Sequence, residues 1–452
     1  MPISPARKIA YDILLRVETE RAYASELLYA RLDVDVTARD AALATEIVLG
    51  ALRWQGLLDF FIEQYTGKKI AKLDSEVLVA LRLGIYQLRF LSRIPARAAV
   101  NESAEIVKHT RKKSAVALVN AVLRRAAEEK DHAAEEMIPA GLPPAESFAI
   151  LFSHPAWLVE RWIAQFGEAR TRELLAVNNQ PPNQACTIAD SARKEEVLRE
   201  FKMAGVEHSP GKLLRDAIIV RGGNIARTRA FRDGAVTIQD EASQLVPLLL
   251  HVTRGDSVLD LCAAPGGKTL ALARAAGTNA MIVASDRHEK RLRQMNERLK
   301  KADAASVRLV ALDGATSMPF RRKFDRVLVD APCSGTGTLA RNPEIRWRLT
   351  PENLTELHRQ QVALLSSALD CLAPRGKLIY STCSLEAEEN DEVVQEVLEK
   401  HASFATSPVE IPRDALAPDV PLEDLVGADG FLRTFPPETH TDGFFAAMLR
   451  AT

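Results

Sequence analysis

From Gly234 onward the chain repeats a single pattern that leaves few folds open. Short, nearly continuous apolar runs at Ser257–Cys262, Ala280–Ser285, Val307–Leu312, Asp325–Val329 and Lys377–Tyr380 are separated, in most cases, by helical stretches. Strands apolar on both faces, with helices between them, predict a parallel sheet covered on both sides. Sheets of this kind bind ligands outside the carboxyl ends of their strands, where the strand order reverses. The chemically distinctive residues of this part all fall at such ends.

The preceding residues read differently. Ile9, Ala10, Ile13, Leu14 and Val17 recur at helical spacing behind Ser4-Pro5, an N-cap and first-turn pair. Further helical stretches near 39–65, 75–92, 97–108 and 115–127, without strand-like alternation, predict an all-α domain over 1–137. Pro139, Gly141, Pro143 and Pro144 interrupt that pattern. Pro155 to Val159 then opens a helix, and strands around Ala185–Ile188 and Ala217–Val220 flank a helix at Lys194–Met203. The expectation is a small α+β domain over 138–233 and an α/β domain over 234–452. A chain of 452 residues accommodates several domains.

Hydrophobic residues at 47% and charged residues at 26% exclude a disordered chain. With 59 basic and 60 acidic side chains the net charge is −1, which decides nothing about nucleic acid, because one face can still be basic. The five cysteines, Cys186, Cys262, Cys333, Cys371 and Cys383, show no C-x-x-C spacing. That argues against a disulfide framework or a zinc site, and free thiols predict a reducing compartment. No signal-peptide core is visible, and no apolar run approaches the ~20 residues of a membrane span. A soluble, cytoplasmic protein with no metal and no membrane contact is expected.

Val258-Leu259-Asp260-Leu261 runs into Cys262-Ala263-Ala264-Pro265-Gly266-Gly267-Lys268-Thr269, a strand ending in a sharp turn into a helix. The glycines permit close backbone approach, and the helix start offers unpaired N–H groups. This suits the carboxylate or ribose of a nucleotide-like cofactor. Gly267-Lys268-Thr269 also looks like the end of a P-loop, but Cys262 stands where the first glycine is required. A dehydrogenase would use the same sheet, yet Pro265 and only two adjacent glycines depart from G-x-G-x-x-G, which favours a methionine-derived sulfonium cofactor over a pyrophosphate. Asp286 ends the next strand, about 20 residues on, the spacing at which an acid meets ribose hydroxyls. Asp313 follows the third strand, where an adenine amino group would lie, and Asp330 follows the fourth. One such aspartate most often caps the next helix. Three in succession point to a ligand.

Asp330-Ala331-Pro332-Cys333-Ser334-Gly335 and Tyr380-Ser381-Thr382-Cys383-Ser384-Leu385 each put a cysteine just beyond a strand, among Pro, Ser, Thr and Gly rather than in apolar sequence. Cys186, Cys371 and largely Cys262 read instead as small buried hydrophobes. Cytosine C5 is a poor nucleophile, and thiolate addition at C6 turns the ring into an enamine able to attack a methyl sulfonium. The chemistry needs an activated cysteine, an acid near the N3/N4 edge of the base, and an acceptor for the C5 proton. Cys333, Cys383 and Asp330 supply these types. Residue chemistry alone leaves open which thiol attacks.

Together, Cys262–Lys268, Asp330–Gly335 and Ser381–Ser384 resemble the motifs of the RNA cytosine-C5 methyltransferases of the NOL1/NOP2/Sun family. The N-terminal part resembles a NusB-type RNA-binding domain through Ala41–Trp54, Leu81–Phe90 and Val119–Arg125. The resemblance spans essentially the whole chain, and the fusion is the arrangement of bacterial small-subunit rRNA methyltransferases. It implies a NusB-like all-α domain, a small α+β RNA-binding or linker domain, and a Rossmann-like class I methyltransferase domain. It further implies that the backbone of Cys262, Ala263, Ala264, Pro265, Gly266, Gly267 and Lys268 holds S-adenosyl-L-methionine, with Asp286 on the ribose and Asp313 near the adenine. Asp330 would lie between cofactor and cytosine, Cys383 would be the nucleophile, and Cys333 would assist product release. The substrate implied is 16S rRNA, naked or in an early assembly intermediate, and the protein is expected to be monomeric.

Arg341 to Trp347 resembles the family's substrate-side segment, with its arginines as phosphate contacts and Trp347 either stacking or core. Ile238 to Ser243 matches the start of the family's catalytic domain, its charges read as helix caps. Lys108, Arg111, Lys112, Lys113, Arg124 and Arg125 form a basic cluster, either a solvated face or a phosphate contact. The target base must be unpaired or flipped out. Two other readings share these features. One changes the substrate to tRNA, and the other makes the chain a binding or antitermination factor on a silent methyltransferase fold, which the intact cysteines and loop disfavour.

Overall fold

The computed structural model describes residues 3–32, 36–189, 193–302, 304–316 and 318–452, so the first two residues of the N-terminal reading lie outside the described residues. The chain forms two compact units, Met1–Pro181 with Leu339–Arg348, and Pro182–Thr338 with Leu349–Thr452.

The first unit is helical. Its larger helices are α1 (Pro5–Glu20), α2 (Ala24–Leu32), α3 (Ala38–Arg53), α4 (Gln55–Thr66), α5 (Ser75–Phe90), α6 (Ala96–Lys108) and α7 (Val116–Glu128). A single turn, α8 (Ala134–Met137), precedes α9 (Pro144–Leu151), α10 (Ala156–Phe166) and α11 (Glu168–Asn178). Every residue of α5 from Val77 to Leu88 is buried, so α5 is the central helix, with α1, α3, α4, α6 and α7 packed around it. Buried charges in this core are paired. Arg82 grips Asp59 at 2.6 and 2.8 Å and reaches Glu18 at 2.8 Å. Arg7 donates to Gln87 and Glu102. Ser4 stands at the N-cap of α1 as expected, but its hydroxyl donates to Glu102 at 2.8 Å instead of capping the helix. Its acceptor side is taken by Arg7 Nη1 at 3.0 Å rather than by a helix N–H. The stretch expected near 39–65 is two helices, broken at Trp54.

The second unit carries two sheets. The smaller is antiparallel, ordered β2-β3-β1-β4, from β1 (Gln184–Ile188), β2 (Glu207–Pro210), β3 (Ile218–Gly222) and β4 (Val236–Ile238). Helices α12 (Lys194–Met203) and α13 (Arg229–Arg232) complete it, over a core that includes Cys186, Phe201 and Ile218. After α14 (Glu241–Leu248) come β5 (Val258–Asp260), α15 (Gly267–Ala276), β6 (Ile282–Asp286), α16 (Glu289–Lys301), β7 (Val307–Ala311), β8 (Phe324–Asp330), α17 (Pro351–Leu369), β9 (Leu372–Thr382) and α18 (Asp391–Lys400). The chain closes with β10 (Phe404–Ser407), β11 (Leu432–Thr434), α19 (Pro436–Thr439) and β12 (Phe444–Ala451).

The larger sheet runs β10-β12-β9-β8-β5-β6-β7, with β11 also on β12. β5 to β9 pair in parallel, as expected from their apolar character. β10, β11 and β12 are antiparallel, so the sheet is mixed rather than wholly parallel. These strands were not anticipated, because a strand that completes an edge depends on a partner far away in sequence. Apolar clusters cover the two faces of the sheet. β5 lies between β6 on one side and β8 on the other, which makes the ends of β5 and β8 the point where strand order reverses.

Candidate active site

At the end of β5 the chain turns through Leu261 to Gly266 into α15. Gly266 has φ 102°, and a Cβ there would sit 2.9 Å from Met295 Cγ, so only glycine fits this turn without strain. The turn is held from three sides. Ala263 N donates to Ser285 O at 2.8 Å, Arg291 donates to Ala264 O at 2.6 Å, and Thr269 Oγ1 donates to Asp260 Oδ2 at 2.6 Å. Lys268 leaves α15 to meet Asp330 at 2.6 Å, and Ser381 Oγ donates to the other oxygen of Asp330 at 3.0 Å. A cavity opens here, lined by Cys262 to Pro265, Gly267, Lys268, Asp260, Asp330 and, from the approach to α14 and its first turn, Gln239 and Ser243.

Asp260 is 1% exposed, and its Oδ1 has no hydrogen-bond partner among the described residues. Burial pushes its carboxyl up to about 7, against the Thr269 hydrogen bond that lowers it. An orphaned buried acceptor on a cavity wall, beside main-chain groups at a helix start, fits a ligand that brings hydroxyl or ammonium donors. In the sequence Asp260 reads only as part of the strand. Its position as the last residue of the strand before the turn was the available signal.

The other predicted carboxylates stand at neighbouring strand ends. Asp286 ends β6, is buried, and accepts from His288 N at 2.8 Å and Arg291 Nη1 at 2.9 Å. Asp313 lies beyond β7, exposed, and accepts from Ala315 N at 3.0 Å. Neither lines the cavity that takes in the Cys262–Lys268 turn and Asp330.

The two strand-end thiols come together. β8 and β9 pair in parallel with Asp330 opposite Ser381, which sets Cys333 and Cys383 in adjacent loops. Their sulfurs are 3.2 Å apart. The hydrogen bond to Cys383, burial and the charge of Glu389 hold the Cys333 thiol well above its ordinary value. Cys333 therefore keeps its proton. The two loops are stitched to each other and to the start of β12: Gly337 N donates to Cys383 O at 3.0 Å, and Gly443 N donates to Gly337 O at 2.8 Å. A Cβ on Gly337 would lie 2.1 Å from Gly443 O, so this close approach requires glycine. Burial raises Cys186 to about 12 and Cys371 to about 11, and it raises Cys262 with the help of Asp260. None of these three is set up as a thiolate.

Residues that sequence reasoning missed sit just behind the cysteines. Glu389 is fully buried and accepts from Ser334 N at 2.8 Å, Gln361 Nε2 at 2.9 Å, and the hydroxyls of Ser334 and Ser384. Asn390 accepts from Thr382 Oγ1 and donates to Ser384 O at 3.0 Å. Their signal in sequence was faint: an acid-rich stretch, Glu386 to Asp391, soon after the second cysteine.

One sequence reading is overturned by burial. Arg346 is not a phosphate ligand: it is fully buried within the first unit and donates to Asn179 Oδ1 at 2.8 Å and to the carbonyls of Ser153, Asn178, Arg53 and Leu339. Trp347 is half-buried there, against Gly56. In the Ile238–Ser243 stretch, Asp240 caps α14 through Ala242 N, as expected, while Glu241 instead accepts from the main-chain N–H groups of Lys212, Leu213 and Leu214. Among the described residues no group of His, Cys, Asp or Glu could hold a metal ion, and no helix is long and apolar enough to cross a membrane.

Residues 247–450 match the model of the 16S rRNA methyltransferase RsmB/F family, 4–128 that of the NusB family, and 154–225 that of the ferredoxin-like domain of RsmF/B-like methyltransferases. The chain is 31% identical over 461 residues to the probable ribosomal RNA small subunit methyltransferase B of Bacillus subtilis, covering 100% of this chain and 99% of that one. It is 33% identical over 396 residues to ribosomal RNA small subunit methyltransferase B of Pseudomonas putida, covering 87% and 88% of the two chains. The crystal structure of PH0851 superposes with a TM-score of 0.83 at 26% identity, covering 99% of each chain. A NusB-like helical domain, a small mixed domain and a Rossmann-like methyltransferase fold in one chain, with relatives matching along its whole length, establish that the chain belongs to the RsmB/F family of 16S rRNA methyltransferases.

Proposed function

We propose that this chain transfers a methyl group from S-adenosyl-L-methionine to C5 of a cytosine in 16S rRNA, through a covalent adduct between Cys383 and C6 of the base. The observation that carries this is the 3.2 Å approach of Cys333 and Cys383 beside the Lys268–Asp330 pair. Two neighbouring thiols suit two tasks of the reaction. Addition calls for a sulfur that can give up its proton, and the later elimination calls for a neighbouring group that manages a proton. The family resemblance gives the first task to Cys383, and Cys333, 3.2 Å from it, is placed for the second.

The bound cofactor supplies the electrophilic methyl of a sulfonium. The turn Cys262–Lys268 would hold its methionine part, with the Asp260 carboxyl as an added acceptor, Asp286 on the ribose and Asp313 on the adenine side. Cys383 bonds to C6 and makes C5 nucleophilic, and Asp330 hydrogen-bonds the N3/N4 edge of the ring. Once C5 carries the methyl, the bond from C6 to Cys383 breaks as the Cys333 thiol, 3.2 Å away, gives its proton to the departing sulfur; the proton lost from C5 returns Cys333 to its thiol form, and the aromatic ring is restored. Cys333 serves that elimination. The NusB-like part (1–137) and the middle part (138–233) would bind rRNA and present the base to the catalytic part (234–452). The substrate would be naked rRNA or an early assembly intermediate, met by a cytoplasmic monomer.

The test is transfer of labelled methyl to deproteinised 16S rRNA, with nucleoside analysis, and with tRNA and assembled small subunits in parallel. Label in 5-methylcytosine of 16S rRNA is expected. Label in another nucleoside, or none on any of the three, would refute the proposal.

A further inference from the structure

Glu389 is a buried carboxylate placed where both cysteine loops converge. Its partners there are all donors: Ser334 N, Ser334 Oγ, Ser384 Oγ and Gln361 Nε2. The two oxygens of a carboxylate offer about four acceptor sites, and these four donors match them in number. Ser334 and Ser384 each directly follow a cysteine of the thiol pair.

The bracketing extends to the other side of each cysteine. Gln361 Nε2, which donates to Glu389, also donates to Pro332 O at 2.9 Å, so Cys333 is held at the residue before it and the residue after it. Asn390, the next residue after Glu389, accepts from Thr382 Oγ1 and donates to Ser384 O, which brackets Cys383 likewise. The main chain of Glu389 is fixed in turn, since Tyr380 Oη donates to its carbonyl at 2.6 Å. The hydrogen bonds of this one buried carboxyl group join two loops about 50 residues apart in sequence.

We propose that Glu389 is the positioning residue of the two-thiol site: it clamps the Cys333 and Cys383 loops together and so sets the separation of their sulfurs. Its hydrogen bonds go to neither thiol, and it acts through Ser334 and Ser384. This deepens, and rests on, the assignment of the thiols to methyl transfer, but the clamp itself has a readout that needs no RNA and no cofactor. Two thiols in near contact are joined by diamide, which takes up the two electrons and two protons as the disulfide forms. The rate of joining reports their mutual placement.

The experiment uses the full chain as wild type, Glu389→Gln and Glu389→Ala. It records melting temperature, the rate of diamide-driven Cys333–Cys383 joining by mass spectrometry, and kcat and KM for methyl transfer. In Glu389→Ala the joining rate is expected to fall about tenfold and kcat about 100-fold, with KM for both substrates within about threefold, as for ångström-scale misplacement of reacting groups. Glu389→Gln, which keeps an acceptor oxygen but turns an amide toward the hydroxyls, should fall between the two. It decides the question if the alanine variant does not fold. A folded variant that joins its thiols at the wild-type rate overturns the clamp, whatever its kcat. Slowed joining in a variant whose parent makes no 5-methylcytosine would uphold the clamp and sink the proposed reaction instead.

Discussion

The ammonium of Lys268 lies 2.6 Å from a carboxylate oxygen of Asp330, so the first turn of α15 is tied to the end of β8 across the reversal point of the sheet. Phe444, whose ring centre is 5.2 Å from the same ammonium, covers it. With one partner in the turn assigned to the cofactor and the other beside the thiols, the pair links the two halves of the site. Lys268→Met should raise KM for S-adenosyl-L-methionine and lower kcat, each about tenfold, because Asp330 loses both orientation and countercharge. Steady-state methyl transfer checks this, and unchanged constants would remove the pair from the site.

The sulfurs should separate by role. Cys333→Ala is expected to accumulate a covalent protein–RNA adduct in the presence of cofactor, visible as a shifted band on a denaturing gel, and Cys383→Ala to form none. Adduct with Cys383→Ala alone would reverse the assignment.

Asp260 makes a prediction about pH and stability. Its folded-state carboxyl, pushed up to about 7 from the usual 3.8, keeps a proton that the unfolded chain releases between about 4 and 7. Stability from this group is therefore greatest at low pH and is lost as pH rises through that window. The full effect is on the order of 4 kcal/mol. Asp260→Asn removes the titration, so the melting temperature of the variant relative to wild type should rise from pH 5 to pH 8. A constant difference would mean that Asp260 is ionised in the fold.

Arg346 belongs to the core of the first unit. Arg346→Met leaves the carbonyls of Ser153 and Asn178 and the side chain of Asn179 without their donor, and should cost about 3 kcal/mol. Chemical denaturation measures the loss. The salt dependence of RNA binding, measured below the melting temperature, should not change, since a fully buried guanidinium meets no phosphate.

The basic cluster in the first unit is partly committed to protein contacts. Lys112 pairs with Asp74 at 2.7 Å and Lys108 with Glu105 at 2.6 Å, both at the surface. Charge reversal at Lys112 and Lys113 should weaken rRNA binding and reduce the slope of log Kd against log salt by about 1 for each phosphate no longer neutralised. An unchanged slope would show a solvated face.

What the sequence determined by itself was whatever a short stretch of chain can encode. The apolar runs marked β5 to β8 closely and only the later part of β9, which begins at Leu372 rather than Lys377, because side-chain period and helix stops are local properties. The turn at Cys262–Lys268 and the two cysteine motifs were legible for the same reason. The tertiary structure decided the rest, through contacts between distant parts of the chain. The antiparallel β10, β11 and β12 exist only against β9 and one another. Arg346 is buried because acceptors from Arg53 to Asn179 gather around it. The 3.2 Å between Cys333 and Cys383, and the carboxylate of Glu389 behind them, follow from the register of β8 on β9. A register is chosen by the packing of whole faces, so nothing in either cysteine motif alone could specify how far apart the two sulfurs would stand.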